Sequence, residues 1–346
     1  MLYNKPLLDR PGSFTSRVVG RVGCCKGEAV AHFLNHPDQQ GEKQMKKSKA
    51  ILMLLRLPFM TVTIGAVLLG TAFATWSTGQ FHFGHFILAL LGACFFHIAT
   101  NVANDYFDFK SGNDVANISG TVPFSGGSRM LLEGFVSPNE GLAVSLIFAT
   151  AGSVIGLYLN YVSGGNVILI IGVLALLFIY GYNGFPFQLV NKGLGEIAIF
   201  LAWGPLVVLG SYYVQAGSFQ SFWPFVVSVP SGILTTLVLL INEFADRDAD
   251  RSVGRKTWVI LFGFEKSLYI YLFLALICYA IVGIGVLFGG WPLLSLLVLV
   301  SLPFSFMAFK AGKQNLGNWG EFLAAVKATI LMNFVFLVIL SVSFWI

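Results

Sequence analysis

Nine apolar runs, each about long enough to cross a bilayer, settle the fold class of this chain before any motif is read. A helix needs about 20 mostly apolar residues to cross the hydrocarbon core. Such runs fall roughly at 50–75, 83–107, 141–162, 165–182, 194–215, 222–245, 267–288, 291–309 and 321–345. In lipid every backbone N–H and C=O must be satisfied within its own segment, so runs of this kind fold as helices. With 56% hydrophobic and 11% charged residues and a mean hydropathy of +0.78, the chain is not a soluble globular domain. The 38 glycines suit close packing between membrane helices. The expectation is an all-α integral membrane protein of about nine spans.

The basic residues give this bundle a direction. Nine Lys and Arg precede residue 50, and Arg56 lies just inside the first run. The other eleven fall between runs two and three (Lys110, Arg129), four and five (Lys192), around the loop between six and seven, or around the loop between eight and nine. The opposite loops have none. By the positive-inside rule the N-terminus and these four loops face the cytoplasm, of a cell (inner) membrane crossed many times. The net charge of +5 is accounted for by this asymmetry and calls for no nucleic acid. Four cysteines offer neither metal spacing nor a disulfide framework.

Residues 1–49 are polar and basic without apolar periodicity, and are read as a disordered or peripheral extension to a membrane domain at 50–346. Met45 followed by Lys46-Lys47-Ser48-Lys49 has the look of a native start, so the upstream stretch is either a mis-called start or a dispensable extension.

Two carboxylate clusters end long apolar runs, where an uncompensated charge is costly and marks function. The first contains Asn101, Asn104, Asp105, Asp108, Asn113 and Asp114; the second contains Asn242, Glu243, Asp246, Asp248 and Asp250. Together they hold seven of only 16 acidic residues. Asn101 and Asn242 each precede an Asp by four, at a constant offset of 141 residues, which suggests a duplicated four-helix unit with one helix left over. Positions four apart share a helix face, so Asn242, Asp246 and Asp250 form one polar stripe and Asn101, Asp105 and Asp108 another. Facing each other, the stripes would make an oxygen-rich pocket suited to Mg²⁺, which bridges carboxylates to substrate phosphates. Lys192, Arg129, Arg255 and Lys256 lie on the same side, as phosphate contacts or as topology determinants.

Asn104-Asp105-x-x-Asp108 with Lys110-Ser111-Gly112-x-Asp114, and Asn242-x-x-x-Asp246-x-Asp248-x-Asp250 with Gly254-Arg255-Lys256-Thr257, resemble the two aspartate-rich motifs of the UbiA superfamily of membrane prenyltransferases. Phe124-Ser-Gly126-Gly127-Ser128-Arg129 and Lys192-Gly193-Leu194-Gly195-Glu196 are most similar to the branch that prenylates 1,4-dihydroxy-2-naphthoate on the way to menaquinone. In one departure, Gly112 stands where the broader family often has an Asp, and Asp114 takes that role.

The resemblance implies a central cavity open to lipid, with two Mg²⁺ bridging the diphosphate of a polyprenyl substrate. Asp105, Asp108, Asp114, Asp246 and Asp250 would be the metal ligands. Lys192 and Arg129 would neutralise the leaving diphosphate. Asn101, Asn104 and Asn242 extend the stripes as substrate contacts, with Arg255 and Lys256. Tyr180, Tyr182 and Asn183 would contact the acceptor or the diphosphate, or belong to an interfacial aromatic belt. Glu196 is read as an ion-pair partner of Lys192 before a catalytic base, and His97 as a buried, hydrogen-bonded histidine. Another acceptor (homogentisate, a chlorophyllide, a glyceryl phosphate) fits the same motifs, and paired intramembrane carboxylates also suit a cation-coupled transporter.

Overall fold

The computed structural model describes residues 45–117 and 127–346. The reading of the N-terminal extension therefore lies outside the described residues, as do Phe124, Ser125 and Gly126 of one supporting motif. Among the described residues there is no β-strand.

Among the described residues eight helical segments are long and apolar enough to cross a membrane. The first is broken into α1 (Lys47–Leu54) and α2 (Met60–Thr78), with a 3₁₀ turn, Leu57–Phe59, between them. Pro58 cannot donate to a preceding turn, and Arg56 just before it adopts a left-handed backbone (φ 51°). There follow α3 (Phe83–Ser111), the short α4 (Asn113–Ala116) and α5 (Pro138–Ser163), which starts with a Ser137–Glu140 capping box. Next come α6 (Val167–Gly181), α7 (Gly195–Ala216), α8 (Trp223–Ser252) and the single turn α9 (Trp258–Phe262). The chain ends with α10 (Phe264–Phe288), α11 (Leu293–Gln314) and α12 (Trp319–Ser343). The ninth expected span is α6. At 15 residues it is about 22 Å long, short of a hydrocarbon core of about 30 Å, so the described residues hold eight long apolar helices and one shorter one.

The core forms around α8. In its most apolar stretch 78% of residues are buried, against 22% for α5, so α8 is the interior helix and α5 leaves most of its surface outward. Leu234, Leu237, Ile241 and Phe244 of α8 pack with Phe73 of α2, Tyr271 of α10 and Phe336 of α12. Being 30 residues long, α8 extends about 45 Å and carries its acidic C-terminal end beyond the apolar layer.

Glycine sets the approach of α7 to α8. A Cβ at Gly204 would lie 2.9 Å from the Cα of Gly232 and from the carbonyl of Ser228, and one at Gly232 would lie 2.5 Å from the carbonyl of Phe200. Here α7 makes a π-turn, Ala202–Leu206, around Pro205, and Ser231 Oγ donates to the Trp203 carbonyl at 2.8 Å. Gly232→Ala is expected to cost about 1–3 kcal/mol through overpacking, read as a lower thermal midpoint in detergent. An unchanged midpoint would mean that the helices separate freely at this crossing.

Candidate active site

The C-terminal ends of α3 and α8 meet, because the residues just after α3 turn back onto α8. Gly112 (φ 78°) closes α3 in the left-handed conformation that glycine tolerates. The chain then enters α4, whose Asn113 Nδ2 donates to Asp250 Oδ1 at 3.2 Å. Asn117, one residue past α4, donates to Asp246 Oδ1 at 2.6 Å. The two acidic stripes thus face each other across an asparagine pair.

Two guanidinium groups hold the carboxylates together. Arg255 reaches Asp250 Oδ1 through Nη1 at 2.9 Å and Asp108 Oδ1 through Nη2, tying α8 to α3. Arg56, set inward by its left-handed backbone, lies 3.2 Å from Asp105 Oδ1. Asp105 Oδ2 also accepts the backbone N–H of Ser128 at 3.1 Å. Asn104 and Asn183 each donate to Asp108 at 3.2 Å, and Asn183 Oδ1 accepts from Arg255 at 3.3 Å. Burial opposes the charge on Arg255, but Asp108 and Asp250 outweigh it and hold the guanidinium protonated above its ordinary range.

These groups close one end of a cavity of about 340 Å³, the size of a small-molecule site. Its lining includes the carboxyl groups of Asp108, Asp114, Glu243, Asp246 and Asp250, and the cations Arg56 and Arg255. The remainder is apolar and glycine-rich, with Phe96, Phe178 and Trp203 among its walls. His97 also lines it, buried, with Nδ1 hydrogen-bonded to Thr63 Oγ1 at 2.6 Å.

The polar end has more negative than positive groups, and some of its amide oxygens lack donors. Asn113 Oδ1, Asn117 Oδ1 and Asn242 Oδ1 are buried with no hydrogen-bond partner. Burial, reinforced by Asp108 and Asp105, pushes the Asp114 carboxyl up to about 8. Gly127 (φ 73°) forms part of the wall. A Cβ there would lie 3.2 Å from Arg56 Nη2 and Asp105 Oδ1, and 3.3 Å from Asp114 Oδ1. Excess carboxylate, orphaned carbonyl-type oxygens and a cleft kept open by glycine fit hard divalent cations. Among the described residues no three His, Cys, Asp or Glu side chains gather closely enough to hold a metal alone.

The other expected residues divide between cavity and surroundings. Asn101, Asn104, Asn242 and Tyr182 line the cavity, with Asn101 Nδ2 donating to the Leu55 carbonyl at 3.3 Å. Burial and the neighbouring Glu243 hold the Tyr182 phenol protonated well above its ordinary range. Tyr180 instead hydrogen-bonds Ser145 on α5 at 3.2 Å and is outside the lining. Lys192 and Lys256 are exposed and also outside it. Arg129 sits one layer back, with Nη1 donating to the Asn117 carbonyl at 3.3 Å and Nε 3.7 Å from Glu133. Asp248 points outward, paired with Arg247 at 3.6 Å.

Glu196 corrects one reading. It is not paired with Lys192; its Oε1 accepts the backbone N–H of Trp258, and its carboxyl lies against that of Glu243. Arg56, Asn113 and Asn117 were not read as site residues. The signal for Arg56 was present, since a cation inside an apolar run needs a partner.

Known proteins resemble this chain in sequence and in fold. The sequence profile of the UbiA prenyltransferase family matches residues 63–339. The 2-carboxy-1,4-naphthoquinone phytyltransferase of Synechocystis sp. is 31% identical over 260 residues, 74% of this chain and 80% of that protein. The 1,4-dihydroxy-2-naphthoate octaprenyltransferase of Escherichia coli is 29% identical over 273 residues, 74% of this chain and 83% of that protein. A UbiA homologue from Archaeoglobus fulgidus, solved bound to GPP and Mg²⁺, superposes with a TM-score of 0.55 at 17% identity, over 84% of this chain and 99% of that one.

Proposed function

Because this chain belongs to the UbiA prenyltransferase family, we propose that it transfers a polyprenyl group from its diphosphate to 1,4-dihydroxy-2-naphthoate, with Mg²⁺, in the route to menaquinone. The observation that carries this reading is the cavity: five carboxyl groups and two guanidinium groups at one end, continuous with an apolar, glycine-rich body. The naphthoate acceptor is supported by the relatives of E. coli and Synechocystis, both named for naphthoate-type substrates.

Asp105, Asp108, Asp114, Asp246 and Asp250 are the proposed metal ligands. Two Mg²⁺ held there would supply Lewis-acid neutralisation of the diphosphate as the allylic C–O bond breaks. Arg255 and Arg56, already at this end, contact the diphosphate, with Asn101, Asn104, Asn183 and Asn242 around it. Lys192, Arg129 and Lys256 lie further out and act on substrate entry or on the loops. Ring faces of Phe96, Phe178, Trp203 and Tyr182 attract the allylic cation while the apolar walls exclude water. The tail lies along the glycine-lined part, towards lipid. Basic residues at 46–49, 192 and 255–256 support a cytoplasmic location for the acidic end, in a cell membrane.

The test is a prenyl-transfer assay in membranes with radiolabelled polyprenyl diphosphate, Mg²⁺ and 1,4-dihydroxy-2-naphthoate. The expected product is a demethylmenaquinone-type prenylnaphthoquinol, abolished by EDTA and restored by Mg²⁺. Product with homogentisate or a glyceryl phosphate, and none with the naphthoate, would reject this acceptor.

A further inference from the structure

Glu243 is the one cavity-lining carboxyl group that neither the metal ligands nor the diphosphate contacts account for. It is 5% exposed, and Oε2 has no hydrogen-bond donor. The side chain lies on the face of α8 that carries Asp246 and Asp250, three and seven residues further on. Three residues of helix rise about 4.5 Å, so Glu243 sits one step deeper than the acidic rim, where the reacting carbon of a diphosphate held at the rim would lie.

Its partner gives the group its chemistry. The Glu243 carboxyl lies against that of Glu196, and two carboxyl groups this close disfavour a full charge on both. Glu196 is 1% exposed and anchored by the Trp258 backbone N–H and by its place in the first turn of α7. The Thr257 hydroxyl, also lining the cavity, is buried without a partner. A buried carboxyl group with an unpartnered oxygen and an unpartnered hydroxyl, lining the same cavity, suit a ligand that presents a hydroxyl and gives up its proton.

We infer that Glu243, backed by Glu196, is the proton acceptor and donor for the hydroxyl of the aromatic acceptor, with Thr257 orienting that hydroxyl. The inference rests on the prenyl-transfer reading of the same cavity. As the allylic C–O bond breaks, its electron pair leaves with the diphosphate. The ring carbon bearing the carboxylate bonds to the allylic carbon with a ring electron pair. The neighbouring C–OH becomes C=O, and its proton passes to Glu243. The carboxylate then leaves as CO₂, the released pair restores the ring, and Glu243 returns the proton to that oxygen. The quinol forms with no oxidant and no net proton change. Glu243 touches the substrate and is catalytic, whereas Glu196 positions it.

The test compares wild type with Glu243→Gln and Glu196→Gln, purified in nanodiscs and checked for monodispersity. The acceptors are 1,4-dihydroxy-2-naphthoate and a ring-fluorinated analogue whose hydroxyl is already ionised at assay pH. Glu243→Gln is expected to lower kcat for the naphthoate by about 10²–10⁴-fold, the usual range for a general base, with KM for prenyl diphosphate within twofold. On the ionised analogue the deficit shrinks to within tenfold. Glu196→Gln shows a smaller loss, rescued in the same way. A Glu243→Gln enzyme within threefold of wild type, an equal deficit on both acceptors, or a parallel rise in KM for prenyl diphosphate would overturn the assignment. If wild type ignores the naphthoate, the acceptor reading falls instead, and the same variants are scored on the hydroxyl acceptor that is prenylated, with its ionised analogue.

Discussion

Asp250→Asn and Asp108→Asn are each expected to lower prenyl transfer by about 10³-fold or more, whereas Asp248→Asn leaves it within a fewfold. All three residues belong to acidic motifs that look alike in sequence. Asp250 and Asp108 are buried, face each other across Arg255 and line the cavity. Asp248 is 90% exposed at its side chain and meets only Arg247 among its ion pairs. Metal-assisted neutralisation of a leaving diphosphate contributes several kcal/mol to the transition state, and about 4 kcal/mol corresponds to roughly 10³-fold in rate. Asparagine keeps the shape of the side chain and removes the charge, so the loss would report on charge. Initial rates of purified protein, with Mg²⁺ titrated, check this. Equal rates for Asp248→Asn and Asp250→Asn would sink the facing-stripe site, and a tenfold loss or less in Asp250→Asn would remove it from the metal ligands.

Gly127→Ala is expected to cost at least about 10²-fold in transfer with only a modest loss of stability. Its backbone lies at φ 73°, where an L side chain costs about 1–2 kcal/mol. The larger effect is positional. The new methyl would press on Arg56, Asp105 and Asp114 at 3.2–3.3 Å, and a displacement of about 1 Å among catalytic groups can cost 10²-fold. Gly134 provides the comparison. Its backbone is equally left-handed at φ 78°, yet nothing lies within 4 Å of a Cβ there. Gly134→Ala should therefore share the backbone strain and keep the rate. Thermal midpoints and transfer rates of the two variants measure the contrast. Matching activity losses would show that loop strain, and not the Cβ at the acidic end, is what matters.

The helical fold was legible because it follows from local chemistry. Twenty apolar residues in lipid have no other way to satisfy their backbone, so the run lengths predicted the helices. The 165–182 run was the weak case: its helix closes at Gly181, short of a full span, and the chain turns through Tyr182 and Asn183 into the site. Spacing within one helix was equally readable. Asp246 and Asp250 share a face for the same reason that Asp105 and Asp108 do, since 3.6 residues make a turn. Glu243 was read as a member of the second cluster, with no role assigned.

Which cation meets which carboxylate was not readable in this way. Lys192 and Arg129 were expected to neutralise the diphosphate, yet it is Arg255 that bridges Asp108 and Asp250, while Lys192 is exposed. Asn113 and Asn117 became links between the halves only because Gly112 turns the chain back onto α8. Glu196 and Glu243 lie 47 positions apart, and no repeat or spacing connects them. The sequence alone determined an all-helical membrane chain whose two acidic stripes end their helices. Tertiary structure alone decided that the stripes face each other, that Arg56 and Arg255 are their counter-ions, and that Glu196 and Glu243 meet. Helical period places side chains around one axis, but meetings between axes depend on loop conformation and on glycine contacts that let helices approach, and these are set by the packed whole.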